Sequence, residues 1–157
     1  MPIQVGDRTP TVTLKATDMS DVETDDLFRG KRVVLFSVTG AYTPTCSNQH
    51  LSGYVTNADA IRAKGVDDII CMAVNDAYVL GAWSREHDAG GKVRFVADGN
   101  GDLTKALGLG FDGSAIGFGL RCQRFAAIVD DGIVTRIAVE DGPAFDVSSA
   151  EAILAAL

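Results

Sequence analysis

The chain has 157 residues, enough for one domain with a sizeable core, and its 46% hydrophobic and 22% charged residues are ordinary for a globular protein. Its net charge of −7 makes nucleic acid or an anionic membrane an unfavourable main partner. No segment approaches the roughly 18 apolar residues of a membrane span, and the first ten residues lack the basic-then-apolar pattern of a signal peptide. We therefore expect one domain, spanning residues 1–157.

Strand and helix patterns alternate along the chain. Apolar runs predict strands at Thr11–Lys15, Lys31–Val38, Ile69–Val74, Arg94–Ala97, Phe125–Val129 and Ile133–Val139. Helical spacing and end signals predict helices at Asp25–Phe28, from Thr43 to Lys64, and at Ala77–Ala89, Asp102–Leu107 and Ala150–Leu157. Parallel strand–helix–strand units, then an antiparallel hairpin and a helix, predict an α/β protein with a mixed central β-sheet flanked by helices. The simplest such architecture is the thioredoxin-like fold.

Cys46 stands out because of the residues that precede it. Thr43 is a preferred helix N-cap type, and Pro44 suits the first helical position because its missing N–H would be unpaired there. Cys46 is then the third helical residue, among N–H groups that have no partner inside the helix. These N–H groups and the helix dipole favour the thiolate, the reactive form of cysteine. The sequence therefore predicts a nucleophile beyond the end of a buried strand, where catalytic groups collect in open α/β sheets.

The segment Gly40–Ser47, with the sequence GAYTPTCS, closely resembles the active-site segment of the peroxiredoxins, in their type II (Prx5-like) branch. The resemblance continues through most of the chain, including Val74–Val79, Arg124-Phe125 and Asp131–Val134. It implies a thioredoxin-type fold and the reduction of hydrogen peroxide and alkyl hydroperoxides by a cysteine that becomes a sulfenic acid. It also implies that no metal or organic cofactor takes part, and that an external thiol such as glutathione, glutaredoxin or thioredoxin restores the cysteine.

Three residues match the active site of that family. By resemblance, Cys46 is the peroxidatic cysteine, Thr43 is the hydroxyl that contacts it and the peroxide, and Arg124 is the active-site arginine. The residue types suit the chemistry, because a permanently charged arginine can stabilise a thiolate and donate to peroxide oxygens. A threonine hydroxyl can donate to sulfur while it accepts from the peroxide O–H.

Two positions depart from the family pattern. Thr39 stands where the family has a proline immediately before Gly40, and Ser52 stands where close relatives usually have proline. Because proline fixes φ and removes a backbone donor, Thr39 makes the loop over the sulfur more flexible. We expect peroxidase activity to be retained but reduced, since the electrostatic groups remain.

The other two cysteines decide how the sulfenic acid is resolved. Cys71 lies in a predicted strand, where plant-type relatives have a cysteine proposed to resolve the sulfenate, but we favour a small core residue. A disulfide between Cys46 and Cys71 needs Cα atoms within about 7 Å, and the first turn of the Cys46 helix would have to unwind. We expect Cys122 to be a bystander at the edge of the Arg124 strand. A one-cysteine cycle with an external thiol is therefore favoured, and the low, odd cysteine count predicts a cytoplasmic protein with reduced thiols.

The histidines leave an alternative open. His50 lies one turn beyond Cys46 on the same helix face and could form a Cys–His nucleophile pair, although we favour a structural hydrogen-bonding role. His87 is expected to be solvated, and without a Cys-x-x-Cys pair no zinc site is expected.

The glycines between positions 108 and 119 do not have the spacing of a phosphate-binding loop. We expect a loop near the active site or at a homodimer contact, with Phe111, Ile116 and Phe118 as exposed apolar residues. Two other functions stay open, a thiol–disulfide oxidoreductase on the same fold and a peroxide sensor. The missing Cys-x-x-Cys pair disfavours the first, and Thr39 makes the second conceivable.

Overall fold

The computed structural model describes residues 2–157 and contains a seven-stranded mixed sheet and a small two-stranded sheet. The strands are β1 (Thr13–Ala16), β2 (Asp21–Glu23), β3 (Arg32–Ser37), β4 (Asp68–Ala73), β5 (Arg94–Ala97), β6 (Gly110–Asp112), β7 (Leu120–Cys122), β8 (Phe125–Asp130) and β9 (Ile133–Val139). The helices are α1 (Thr24–Phe28), α2 (Ser52–Ala63), α3 (Ala77–Glu86), α4 (Asp102–Leu107) and α5 (Ala150–Ala156). A π-helical turn, Cys46–Leu51, precedes α2, and a 3₁₀ turn, Ser114–Ile116, lies between β6 and β7.

The large sheet has the strand order β2-β1-β5-β4-β3-β8-β9. Strands β3, β4 and β5 are parallel neighbours, whereas β8 and β9 form an antiparallel hairpin against β3. The hairpin turns at Asp131 and Gly132, whose φ angles of +48° and +81° are the left-handed pair that a tight two-residue turn requires. The predicted α/β architecture, a thioredoxin-like fold with a mixed central sheet, is confirmed.

The sheet separates two apolar cores. Side chains of β3 alternate between them, with Val34 and Phe36 on one face and Val33 and Leu35 on the other. The first core lies under α2, α3 and α5, and the second lies under α1 and α4. The two largest fully buried side chains, Trp83 and Tyr54, belong to the first core, as does Cys46. The candidate nucleophile therefore lies in the core that contains the two largest fully buried side chains.

Most predicted elements are confirmed, with shifts at their ends. Helix α3 ends at Glu86 and not at Ala89, because the chain leaves the helix at His87 and turns at Asp88, whose φ is +51°. The glycine-rich stretch after α4 contains the β6–β7 hairpin, where we predicted only a loop. Strands β2, β6 and β7 were not predicted, because three residues are too few for an alternating pattern to emerge. None of the helices in residues 2–157 is long and apolar enough to cross a membrane.

Candidate active site

Cys46 lies at the start of the helix that follows β3. Pro44 is the first helical residue, and the amide of Ser47 donates to the carbonyl of Thr43 at 2.9 Å, which closes the first turn. Cys46 is thus the third helical residue, as predicted, and it is fully buried. The predicted side-chain cap is wrong, however, because the Thr43 hydroxyl donates to the carbonyl of Gly40 at 2.8 Å instead of accepting from the helix.

The turn that carries Cys46 is π-helical, a feature that the sequence analysis missed. It extends from Cys46 to Leu51 before ordinary α-helix resumes at Ser52. The Ser52 hydroxyl donates to the carbonyl of Ser47 at 2.7 Å, and the indole N–H of Trp83 donates to the Ser47 hydroxyl at 2.9 Å. Single π turns inside helices occur frequently at functional sites. Side-chain hydrogen bonds from α2 and α3 therefore hold the residue next to Cys46 on both sides.

Arg124 contacts the sulfur. It lies in the two-residue connection between β7 and β8, is 8% exposed, and directs its Nη2 to within 3.0 Å of the Cys46 Sγ. A guanidinium is always charged and can only donate, so this contact stabilises a thiolate over a thiol. The two residues are 78 positions apart, and the β-sheet brings them together because β8 is the antiparallel neighbour of β3.

His50 holds the other arm of the guanidinium. Its Nδ1 lies 2.9 Å from Arg124 Nη1, and its Nε2 lies 3.0 Å from the carbonyl of Ser148. Since the guanidinium only donates and the carbonyl only accepts, Nδ1 carries the lone pair and Nε2 carries the proton. Burial, and then the charge of Arg124, lower the pKa of His50 to about 3. The ring is therefore neutral at physiological pH, with both nitrogens occupied by partners other than the sulfur.

A carboxylate fixes the segment behind His50. Glu140 accepts hydrogen bonds from the Ser148 hydroxyl at 2.6 Å, the Ser148 amide at 2.9 Å and the Asp146 amide at 2.7 Å. Burial alone would raise the pKa of Glu140, but these hydrogen bonds outweigh it and the pKa is lowered. The amide of Glu140 also donates to the carbonyl of Arg124 at 2.9 Å, and the hydroxyl of Tyr54 donates to the Ser148 carbonyl at 2.9 Å. The roles of Glu140 and Ser148 behind His50 carried no recognisable sequence signal, since they depend on this tertiary contact.

Thr43 and Arg124 both line a cavity of about 610 Å³. Much of the remaining wall is apolar and comes from the 3₁₀ turn and its flanking strands, through Phe111, Ile116 and Phe118. Ile116 is 67% exposed, whereas Phe111 and Phe118 are half-buried and not exposed as expected; the centre of the Phe118 ring lies 4.9 Å from the Arg121 Cζ. The arrangement offers a small polar reactant one permanently charged donor and one hydroxyl, with apolar surface beside them.

The other cysteines lie within the two cores and are free thiols. Cys71 is fully buried in β4, opposite Phe36 of β3, and burial, together with the charge of Cys46, raises its pKa well above the ordinary range. Cys122 belongs to β7 of the small sheet, so its expected place at the edge of the Arg124 strand is wrong. Burial raises the pKa of Cys122 to about 11. Both thiols are therefore protonated at neutral pH and are poor nucleophiles there.

The second histidine and the metal-ligand chemistry offer no further site. His87 is half-buried with its ring 5.8 Å from that of Trp83, so it is less solvated than expected. Within residues 2–157, no cluster of three or more His, Cys, Asp and Glu side chains could hold a metal ion.

Comparisons with known proteins agree with this geometry. The Redoxin family model matches residues 4–154. Peroxiredoxin-2C of Oryza sativa subsp. japonica is 47% identical over 160 residues, with 99% of each chain covered. The chloroplastic peroxiredoxin-2E of Arabidopsis thaliana is 44% identical over 99% of this chain and 69% of its own length. The crystal structure of reduced Prx3 from Vibrio vulnificus in complex with hydrogen peroxide matches with a TM-score of 0.95 and 48% identity, over 99% of each chain.

Proposed function

The chain belongs to the peroxiredoxins, the thiol-dependent peroxidases of the Redoxin family, and from this premise we propose that Cys46 is its peroxidatic cysteine. The contact between Arg124 Nη2 and the Cys46 Sγ, at 3.0 Å, carries the proposal. Of the three cysteines, Cys46 alone has a cationic donor on its sulfur, whereas burial raises the pKa of Cys71 and of Cys122. Only Cys46 is therefore set up to react as a thiolate.

The proposed reaction is a displacement at oxygen. The Cys46 thiolate attacks the terminal, hydrogen-bearing oxygen of the peroxide, an S–O bond forms and the O–O bond breaks. The cysteine is oxidised to sulfenic acid, and the departing oxygen takes up a proton from solvent and leaves as water or as an alcohol. Arg124 stabilises the thiolate and the negative charge that develops on the departing oxygen.

Thr43 has a narrower role in this reaction than its residue type alone suggests. Its hydroxyl proton is already given to the carbonyl of Gly40. The oxygen therefore faces the peroxide as an acceptor, and we propose that it binds the peroxide O–H. Together with Arg124 it would orient the O–O bond toward the sulfur.

Hydrogen peroxide and alkyl hydroperoxides are the proposed substrates. The cavity beside Thr43 and Arg124, at about 610 Å³, is large enough for an organic group, and its wall includes Phe111 and Phe118. An alkyl chain placed against these rings would bury apolar surface while its peroxide end reaches the polar groups.

The proposed reductant is an external thiol, with glutathione or glutaredoxin favoured over thioredoxin. One thiol attacks the sulfenic sulfur and releases water, and a second thiol frees Cys46 and leaves as a disulfide. Cys71 is the alternative resolving thiol, but its burial and raised pKa make it a poor nucleophile. We therefore favour Cys71 as a core residue and a one-cysteine cycle.

We further propose a cytoplasmic homodimer. The exposed Ile116, beside the half-buried Phe111 and Phe118, supports an apolar contact between two copies near the active site. Light scattering at micromolar concentration should give the dimer mass, and a monomer would remove this proposal. Because the matched plant relatives include chloroplastic members, a direct localisation experiment tests the proposed compartment.

Catalytic turnover tests the proposed cycle. We expect the wild-type protein to consume many equivalents of hydrogen peroxide with glutathione and glutaredoxin present, and Cys46→Ser to consume none. Cys122→Ser is the matched control and should keep the wild-type turnover. Loss of turnover in Cys71→Ser, with its first oxidation intact, would move the resolving step to Cys71. Turnover that survives Cys46→Ser would contradict the proposal.

A further inference from the structure

The loop between β3 and the Cys46 helix is held in a strained conformation. Tyr42 has a φ of +68°, a left-handed backbone that a bulky side chain rarely adopts. Such a conformation persists only where the surrounding contacts determine it. Two of these contacts lie at the centre and end of the loop: the Ala41 amide donates to Asn75 Oδ1 at 3.0 Å, and the Thr43 hydroxyl donates to the Gly40 carbonyl.

Arg121 supplies the third contact, at the start of the loop. It lies on β7, where its Nε donates to the carbonyl of Phe118 at 3.0 Å and its Nη1 donates to the carbonyl of Thr39 at 3.2 Å. Its Cζ lies 4.9 Å from the centre of the Phe118 ring. One end of the guanidinium is thus fixed on the small hairpin, and the other end reaches across to the active-site loop.

Gly40, the residue after Thr39, leaves room for the Arg121 guanidinium. A Cβ placed on Gly40 would lie 2.6 Å from Arg121 Nη1, closer than side-chain atoms approach in proteins. Glycine at position 40 therefore lets the guanidinium lie directly against the loop backbone. Thr39, unlike proline, does not fix its own φ, so the conformation here depends on an external contact.

We propose that Arg121 is a positioning residue for peroxide reduction, which clamps the Thr39–Gly40 backbone and thereby holds Thr43 in place. The chain of contacts is continuous, because Arg121 holds the Thr39 carbonyl and the adjacent Gly40 carbonyl accepts from the Thr43 hydroxyl. Arg121 itself touches neither the sulfur nor the peroxide in this role. The inference rests on the proposed role of Cys46 as the peroxidatic residue.

A through-space effect of the Arg121 charge on the thiolate is the competing explanation. Arg121→Lys separates the two, because lysine keeps the charge but loses the planar fork that bridges two carbonyls. Alkylation by iodoacetamide at pH 7 provides a second separation, since its rate follows the thiolate fraction and does not need an oriented peroxide. Loss of the clamp should slow the peroxide reaction without slowing alkylation.

The experiment measures the second-order rate of Cys46 oxidation by hydrogen peroxide in pre-reduced protein, by quench and mass spectrometry. We expect Arg121→Gln and Arg121→Lys each to react about tenfold more slowly, about 1.4 kcal/mol in the barrier, with alkylation within about twofold of wild type. Arg136→Gln, which removes a charge from an exposed position on β9, is the matched control and should leave both rates unchanged.

Two further variants keep the test decisive if Arg121→Gln folds poorly. Gly40→Ala needs only the end of a flexible side chain to move, so it should spare folding, displace Arg121 and slow the peroxide reaction without a change of charge. In a Thr39→Pro background the loop is stiffened from within. In that background, Arg121→Gln should slow the peroxide reaction by less than about threefold.

The proposal is overturned if Arg121→Lys reacts like wild type while Arg121→Gln is slow, since charge alone would then explain the effect. It is also overturned if both variants react with peroxide within twofold of the wild-type rate. The same holds if Arg121→Gln slows the peroxide reaction by the same factor whether residue 39 is threonine or proline. If the wild-type Cys46 does not react with peroxide at all, the proposed function itself fails. That result is distinct, because failure of the clamp alone leaves a reactive wild type.

Discussion

Replacing His50 should disturb the orientation of Arg124 without removing a hydrogen bond to the Cys46 sulfur. His50→Leu removes the acceptor at 2.9 Å from Arg124 Nη1 and leaves a buried, charged N–H unpaired. A hydrogen bond to a charged group contributes roughly 1.5–3 kcal/mol. If most of this falls on the orientation of the guanidinium toward Cys46, we expect the peroxide reaction to slow by about tenfold to a hundredfold. The remainder should appear as lower folding stability.

His50→Gln provides the rescue that a purely structural role does not require. A glutamine can accept from the guanidinium and donate to the Ser148 carbonyl, which are the two bonds that the neutral histidine makes. We therefore expect His50→Gln to retain at least about a third of the wild-type rate. His87→Leu, at the half-buried second histidine, is the matched control and should react like wild type.

The pH profile of the same reaction separates this role from general-base catalysis. Because burial and Arg124 lower the pKa of His50 to about 3, the wild-type rate should show no histidine titration between pH 5 and 8. The assay is single-turnover oxidation by hydrogen peroxide at each pH, with the folded fraction checked by circular dichroism. A wild-type titration near pH 6.5 that disappears in His50→Gln would refute the reasoning, as would a His50→Leu rate equal to wild type.

Three further predictions follow from the same geometry. The free energy of unfolding should fall by at most about 5 kcal/mol as the pH drops from about 6.5 toward 3, because the unfolded chain protonates His50 while the folded protein keeps it neutral. Urea denaturation at pH 7.5 and at pH 5 should show this loss of stability, and His50→Gln should remove most of the pH dependence. Thr39→Pro should raise the rate of peroxide reduction by about two- to fivefold, since a proline that fits the native backbone contributes about 0.4–1 kcal/mol by restricting the chain. An unchanged rate would argue against a flexible loop at Thr39. Cys71→Ala and Cys122→Ala should each lower the stability by about 1 kcal/mol or more, measured by thermal unfolding, because each removes a buried side-chain atom. Both variants should keep glutathione-dependent turnover, and loss of turnover in Cys71→Ala would contradict a one-cysteine cycle.

The position of Cys46 could be predicted from local sequence because local rules determine it. Pro44 suits the first turn of a helix but not its interior, and the preceding apolar run predicts a buried strand, so the cysteine two residues after Pro44 is placed where the helix begins. The parallel order of the strands follows from the same alternation of strands and helices. These features need no information about distant parts of the chain.

The contacts that make the site work could not be predicted in this way. Arg124 reaches the Cys46 sulfur across 78 residues, through strand pairing whose register emerges only in the folded sheet. Glu140 and Ser148 orient His50 through a loop that has no periodic pattern. The π turn is hydrogen-bonded by Trp83 of the distant helix α3, and the donation of the Thr43 hydroxyl to Gly40 depends on the path of the preceding loop.

The measurement that tests the central claim most directly is oxidation of the pre-reduced protein by a sub-stoichiometric pulse of hydrogen peroxide, with a sulfenic acid trap and peptide mass spectrometry. We predict a trapped adduct on Cys46 alone, which persists until glutathione is added and is absent in Cys46→Ser. An unoxidised Cys46 after the peroxide has been consumed, or an adduct on Cys71 or Cys122 in its place, would contradict the claim that Cys46 is the peroxidatic residue.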